Sequence, residues 1–170
     1  MINNIYKDKK IIEQIKEILK KQGSIQLKEF LKEPPKINSK LKEEYVPQSH
    51  SYKFTDYEMN KEIIKFVEII TNKKLRSSKL FELKHKDYKL LSDKQKEREG
   101  YKIIIELTKS WKEEFGGFTS IIENNQENLR IIPEENTLSI IRTNKEQKSF
   151  IKYINNKAKN QKRIFIELIF

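Results

Sequence analysis

The hydrophobic period of this chain changes close to its midpoint, and that change restricts the fold more than any other feature. Downstream of it, apolar, β-branched and aromatic residues come in short runs at 79–84, 88–91, 101–107, 118–122, 129–132, 137–141, 149–154 and 163–170, separated by polar turns. Many short strands in succession specify an antiparallel sandwich or barrel rather than a helical bundle.

Upstream the period is that of a helix. Ile11, Ile12, Ile15, Ile18 and Leu19 share one face of a segment from Lys9 to Lys21, and Gly23 follows as a C-terminal stop. Ser24 to Leu27 alternates like a strand, Lys28 to Lys32 reads as a short helical turn before Pro34 and Pro35, and 36–52 reads as a polar loop. Thr55-Asp56-Tyr57-Glu58 has the form of a capping box. It would open a second helix, near 56–71, that buries Met59, Ile63, Phe66, Val67 and Ile70. The expected architecture is α+β: one domain over 1–170, with a helical part to about residue 75 and a β core from about residue 76.

Its 170 residues suffice for a core without staples, and the lack of cysteine excludes a disulfide framework, a zinc knuckle and a thiol nucleophile. No signal-like or membrane-spanning apolar run is present, so a cytoplasmic protein is expected, with no membrane partner. The formal charge of +11 favours acidic partners, ribosomes or RNA among them. That charge is mostly lysine scattered along the chain, whereas arginine, the better residue for bidentate phosphate and base contacts, is scarce. A solvated basic surface is therefore the leading reading of the charge.

No P-loop, Ser-His-Asp set or paired-carboxylate hydrolase pattern occurs. The most distinctive local signature is Trp111-Lys112-Glu113-Glu114-Phe115-Gly116-Gly117 after the strand Tyr101–Leu107, followed by Ile131-Ile132-Pro133 and by Arg163–Phe170. Upstream lie Phe66–Leu75 and Lys86-Asp87-Tyr88-Lys89-Leu90-Leu91. In order and spacing these pieces resemble the prolyl-hydroxylase-type 2-oxoglutarate/Fe(II) oxygenases over most of the chain. The resemblance implies a double-stranded β-helix (jelly-roll) core with supporting N-terminal helices.

It also implies an iron site of a His-x-Asp pair and a distal His. Counted at the family's usual interval, those ligands fall on Ser92, Lys94 and Ser149. Asp93 is a carboxylate one position out of register. The only histidines are His50 and His85, so none lies in the second half of the chain. Arg163 stands where the family's arginine holds the distal carboxylate of 2-oxoglutarate, and it is expected to border a vestigial anion pocket with Ser92, Lys94 and Ser149.

The resemblance thus implies a degenerate member that needs no cofactor and binds a protein or peptide. The alternatives are an active 2-oxoglutarate-dependent hydroxylase, with Fe(II) held by His85, Asp87 or Asp93, and a basic ribosome- or RNA-associated module. His85-Lys86-Asp87 does spell His-x-Asp, but on the near side of the Tyr88–Leu91 strand.

Overall fold

The computed structural model describes residues 1–35, 37, 40–91 and 97–170. The first helix, α1 (Lys9–Gln22), starts where the Asp8 side chain accepts from the Lys10 N–H. It stops at Gly23, whose φ of 77° is the left-handed turn that glycine adopts without a Cβ penalty. The second helix, α2 (Lys61–Thr71), is capped by Asn60, which accepts from the Glu62 N–H.

The Thr55–Glu58 capping box does not open α2. Thr55 and Asp56 pair with Leu80 and Lys79 as the end of a strand. The expected loop over 36–52 is also largely a hairpin, with strands β2 (Lys42–Val46) and β3 (His50–Asp56) either side of a turn at Pro47 to Ser49. Its charged residues misled the pattern because β2 is an edge strand, solvated over most of its surface.

The other strands fall close to the expected runs. They are β1 (Ser24–Leu27), β4 (Ser77–Leu83), β5 (Tyr88–Lys89), β6 (Gly100–Glu106), β7 (Thr119–Glu123), β8 (Gln126–Ile131), β9 (Thr137–Thr143), β10 (Lys148–Ile151) and β11 (Arg163–Ile169). Hydrogen bonding orders them β1-β9-β6-β11-β4-β3-β5-β10-β7-β8, with β2 on β3, and every pairing is antiparallel. The β3–β5 pairing links a large half (β1, β9, β6, β11, β4 and β3) to a small half (β5, β10, β7 and β8), and the sheet curls back on itself as an α+β double-stranded β-helix.

The large half is buried on both faces. Ile103, Ile105, Ile140, Ile166 and Leu168 pack outward against Ile15, Leu19, Ile63, Phe66 and Val67 of the helices. Their alternating neighbours Ile104, Ile141, Phe81 and Phe165 turn inward and meet Ile121, Ile131 and Ile151 of the small half. Phe81 and Phe165 stack with ring centroids 5.1 Å apart. The near-continuous apolar runs of β6 and β11 follow from this double burial.

A polar interior and its cleft

The same alternation that turns Ile104 inward turns Lys102 and Glu106 inward too, one position pair either side on β6. On the neighbouring β11 it does so for Arg163 and Glu167. Arg163 is completely buried and Glu106 is 2% exposed. The guanidinium donates through Nε and Nη2 to Glu106 Oε2, at 3.1 and 2.9 Å. Its Nη1 donates to the Gly117 carbonyl at 2.6 Å and to Thr119 Oγ1 at 2.8 Å. Thr108 Oγ1 donates to the second Glu106 oxygen, and the Arg163 guanidinium lies 4.3 Å from the Phe165 ring centroid. The fork that the sequence assigned to a bound anion is therefore spent on a carboxylate of the chain itself.

Gly117 takes part for steric reasons. At φ 68° its missing Cβ would lie 2.8 Å from the Trp111 ring and 2.9 Å from Ile154, so only glycine lets the carbonyl reach Arg163. Trp111 Nε1 donates to the Gly116 carbonyl at 2.9 Å, tying the indole to the same turn.

Ser149 on β10 belongs to a second buried group. Lys102 Nζ donates to Ser149 Oγ at 3.1 Å and to Glu97, Ser149 donates to Glu97 at 2.5 Å, and Glu167 lies 3.7 Å from the ammonium. Burial alone would lower the Lys102 pKa. Glu167 and Glu97 outweigh it and hold the ammonium above the usual lysine range. Glu97 is likewise opposed by burial, but the charge and hydrogen bond of Lys102, helped by Ser149, hold it below the usual carboxylate range. Ser92, Asp93 and Lys94 lie outside the described residues.

Two adjoining hollows, of about 210 and 430 Å³, open beside this group and share Tyr52, Ser77, Lys79, Lys89 and Glu167 in their walls. A third hollow, of about 480 Å³, lies between β9 and β8 and is lined by Arg142, Asn144, Asn128 and Glu123.

The His85-x-Asp87 pair forms a tight turn with Lys86 at φ 78°. Asp87 is buried, and its two carboxylate oxygens accept from Ser51 Oγ at 2.5 Å and from the Lys84 N–H at 2.8 Å. His85 sits edge-on to Tyr153. His50 is held between Glu44, 2.5 Å from Nε2, and Ser49, 3.0 Å from Nδ1, and stacks on Tyr52.

Sequence reasoning did not single out Glu97, Lys102 or Glu106. The usable signal was the inward register of charges on either side of Ile104 in an otherwise apolar strand.

No family model matches the chain. Prolyl 3-hydroxylase OGFOD1 of Xenopus laevis is 33% identical over 90 residues, which cover 50% of this chain and 18% of that protein. Among solved structures, a Pseudomonas putida prolyl-4-hydroxylase superposes with a TM-score of 0.67 at 10% identity, over 94% of this chain and 98% of that one. A prolyl hydroxylase of Trichoplax adhaerens, solved with a hypoxia inducible factor oxygen degradation domain peptide fragment, gives 0.67 at 12% identity, over 98% and 91%. A 2OG-Fe(II) oxygenase family member of Burkholderia pseudomallei gives 0.64 at 8% identity, over 93% and 89%. Among the described residues no helix is long and apolar enough to cross a membrane. In fold, along nearly its whole length, the chain is similar to solved prolyl hydroxylases and a 2OG-Fe(II) oxygenase family member, and over half of it the sequence is similar to a prolyl 3-hydroxylase of which it spans less than a fifth.

Proposed function

We propose that the chain is a catalytically silent oxygenase-like module that binds a protein or peptide in the cleft beside Tyr52. The observation that carries this reading is the buried Lys102 ammonium, hydrogen-bonded to Ser149 where the resemblance places the distal iron ligand. A fixed positive charge there repels a divalent cation, and a serine hydroxyl is a poor ligand for ferrous iron. The carboxylates that neutralise Lys102 lose that countercharge if they turn to a metal.

The co-substrate fits no better. Arg163 would have to release Glu106 to hold the distal carboxylate of 2-oxoglutarate, leaving a buried anion unpaired. The residues present therefore do not suit iron and 2-oxoglutarate, and no oxidative step is assigned to them. The Trichoplax relative, solved with a peptide fragment, supports a peptide as the kind of partner.

The test is metal analysis of the purified protein after anaerobic loading with Fe(II) or Mn(II), together with an assay of 2-oxoglutarate turnover. Neither stoichiometric metal nor turnover is expected. One metal per chain, lost in His85→Ala, would overturn the reading in favour of an active enzyme.

A further inference from the structure

Of the three lysines that line the two adjoining hollows, only Lys102 makes an ion pair with a described residue. Arg163 is matched by Glu106, and Lys102 takes both Glu97 and Glu167, the only acids in the walls of the two adjoining hollows among the described residues. Lys79 and Lys89 line the same hollows. Lys89, on β5, is mostly buried and makes no hydrogen bond or ion pair with a described residue. Among the described residues the ammonium of Lys79, on β4, has only the Phe54 ring, 4.9 Å away. Burial, and then the charge of Lys102, lowers the Lys89 pKa against the opposite pull of Glu167 and Glu97. Tyr52 lines the same hollows, and its hydroxyl makes no hydrogen bond to a described residue. Burial, followed by Glu44 and Glu167, pushes its phenol up to about 12, so it keeps its proton to donate at neutral pH.

A mostly buried ammonium that makes no ion pair of its own is costly, and an anion that enters the cleft relieves that cost. We propose that this cleft is an anion-binding site that takes a carboxylate between Lys79 and Lys89, with Tyr52 as a third donor. All three line both hollows: the larger, of about 430 Å³, falls within the range of about 300–1,000 Å³ typical of small-molecule pockets, and the other, of about 210 Å³, falls below it. The smaller hollow has room for the end of an acidic side chain or a small free acid. Its walls are strands and strand ends, without the helix N-terminus or glycine loop that usually cradles phosphate. The site deepens the peptide-binding reading, on which it rests only for the source of the carboxylate: an aspartate or glutamate of the partner.

Calorimetric titration of the whole chain at low salt, with succinate and with the capped tripeptides Gly-Asp-Gly and Gly-Asn-Gly, tests the site. Binding of the Asp peptide over the Asn peptide is expected. Lys89→Met should weaken it by roughly tenfold or more, and Lys9→Met, which removes the same charge from the exposed start of α1, should not. Circular dichroism checks that each variant folds, and Lys79→Met serves if Lys89→Met does not. Succinate binding that needs Lys89, with no binding of the Asp peptide, would keep the anion site and remove the peptide reading. Binding unchanged in both cleft variants, or weakened equally by Lys9→Met, would reduce the effect to diffuse surface charge and overturn the site. Absence of binding by all three probes would overturn it as well.

Discussion

Arg163 and Glu106 meet across the β11–β6 pairing with two guanidinium nitrogens on one carboxylate oxygen, and both side chains are sealed from solvent. Removing one partner of such a pair leaves an uncompensated buried charge. Glu106→Ala is therefore expected to cost about 3–5 kcal/mol. The double variant Glu106→Leu/Arg163→Met removes both charges and should recover a large part of that loss. Urea denaturation of the three proteins checks this, and a double variant no more stable than the single one would contradict it.

The Lys102 group sets a pH signature. Its carboxylate Glu97 is held below the ordinary range in the folded protein, so its contribution is present above the unfolded-state pKa and is lost as pH falls through the folded value. Lys102 is held above its ordinary value, so its contribution is complete below the unfolded-state pKa and is lost as pH rises through the folded one. Lys102→Met removes the ion-pair partner of Glu97 and raises its folded pKa. The variant should be markedly weaker than wild type at pH 7, and the gap should narrow on acidification toward pH 4. Denaturant midpoints measured across that interval read it directly.

Gly117 offers a test of the turn beneath Arg163. Gly117→Ala puts a methyl group against Trp111 and Ile154 at a left-handed φ and should cost about 1–3 kcal/mol. Trp111 is the only tryptophan. Its emission should shift to longer wavelength in the variant as the indole loses its packing.

Two adjacent residues of α2 separate the packed face from the solvated one. Ile70 is 7% exposed and Ile69 is 45% exposed. Ile70→Ala should cost about 2–5 kcal/mol, whereas Ile69→Ala should stay within about 0.5 kcal/mol. Similar losses at both positions would show that the helix packs in a different rotation.

Most strands and both helices were legible in the sequence because each depends on the period of its own apolar residues. Ile103, Ile105, Ile140, Ile166 and Leu168 are all buried, as strand alternation requires, although they face the helices and not the barrel interior. The β2–β3 hairpin was illegible because an edge strand has no need of an apolar face. The start of α2 was misread because Thr55 and Asp56 favour a helix cap locally, while their backbone groups are claimed by β4.

The chain by itself determined its strand and helix content, its order of elements, and the absence of histidine from its second half. Those are properties of local spacing and of composition. Tertiary structure alone decided how the interior charges pair. Glu106 stands 57 residues from Arg163, and Ser149 stands 47 from Lys102. A charge on an inward-facing strand position has its direction set by the pleat, but its partner is set by which strands curl together. That is why Arg163 could be placed inside the barrel from sequence, while the carboxylate that occupies its fork could not.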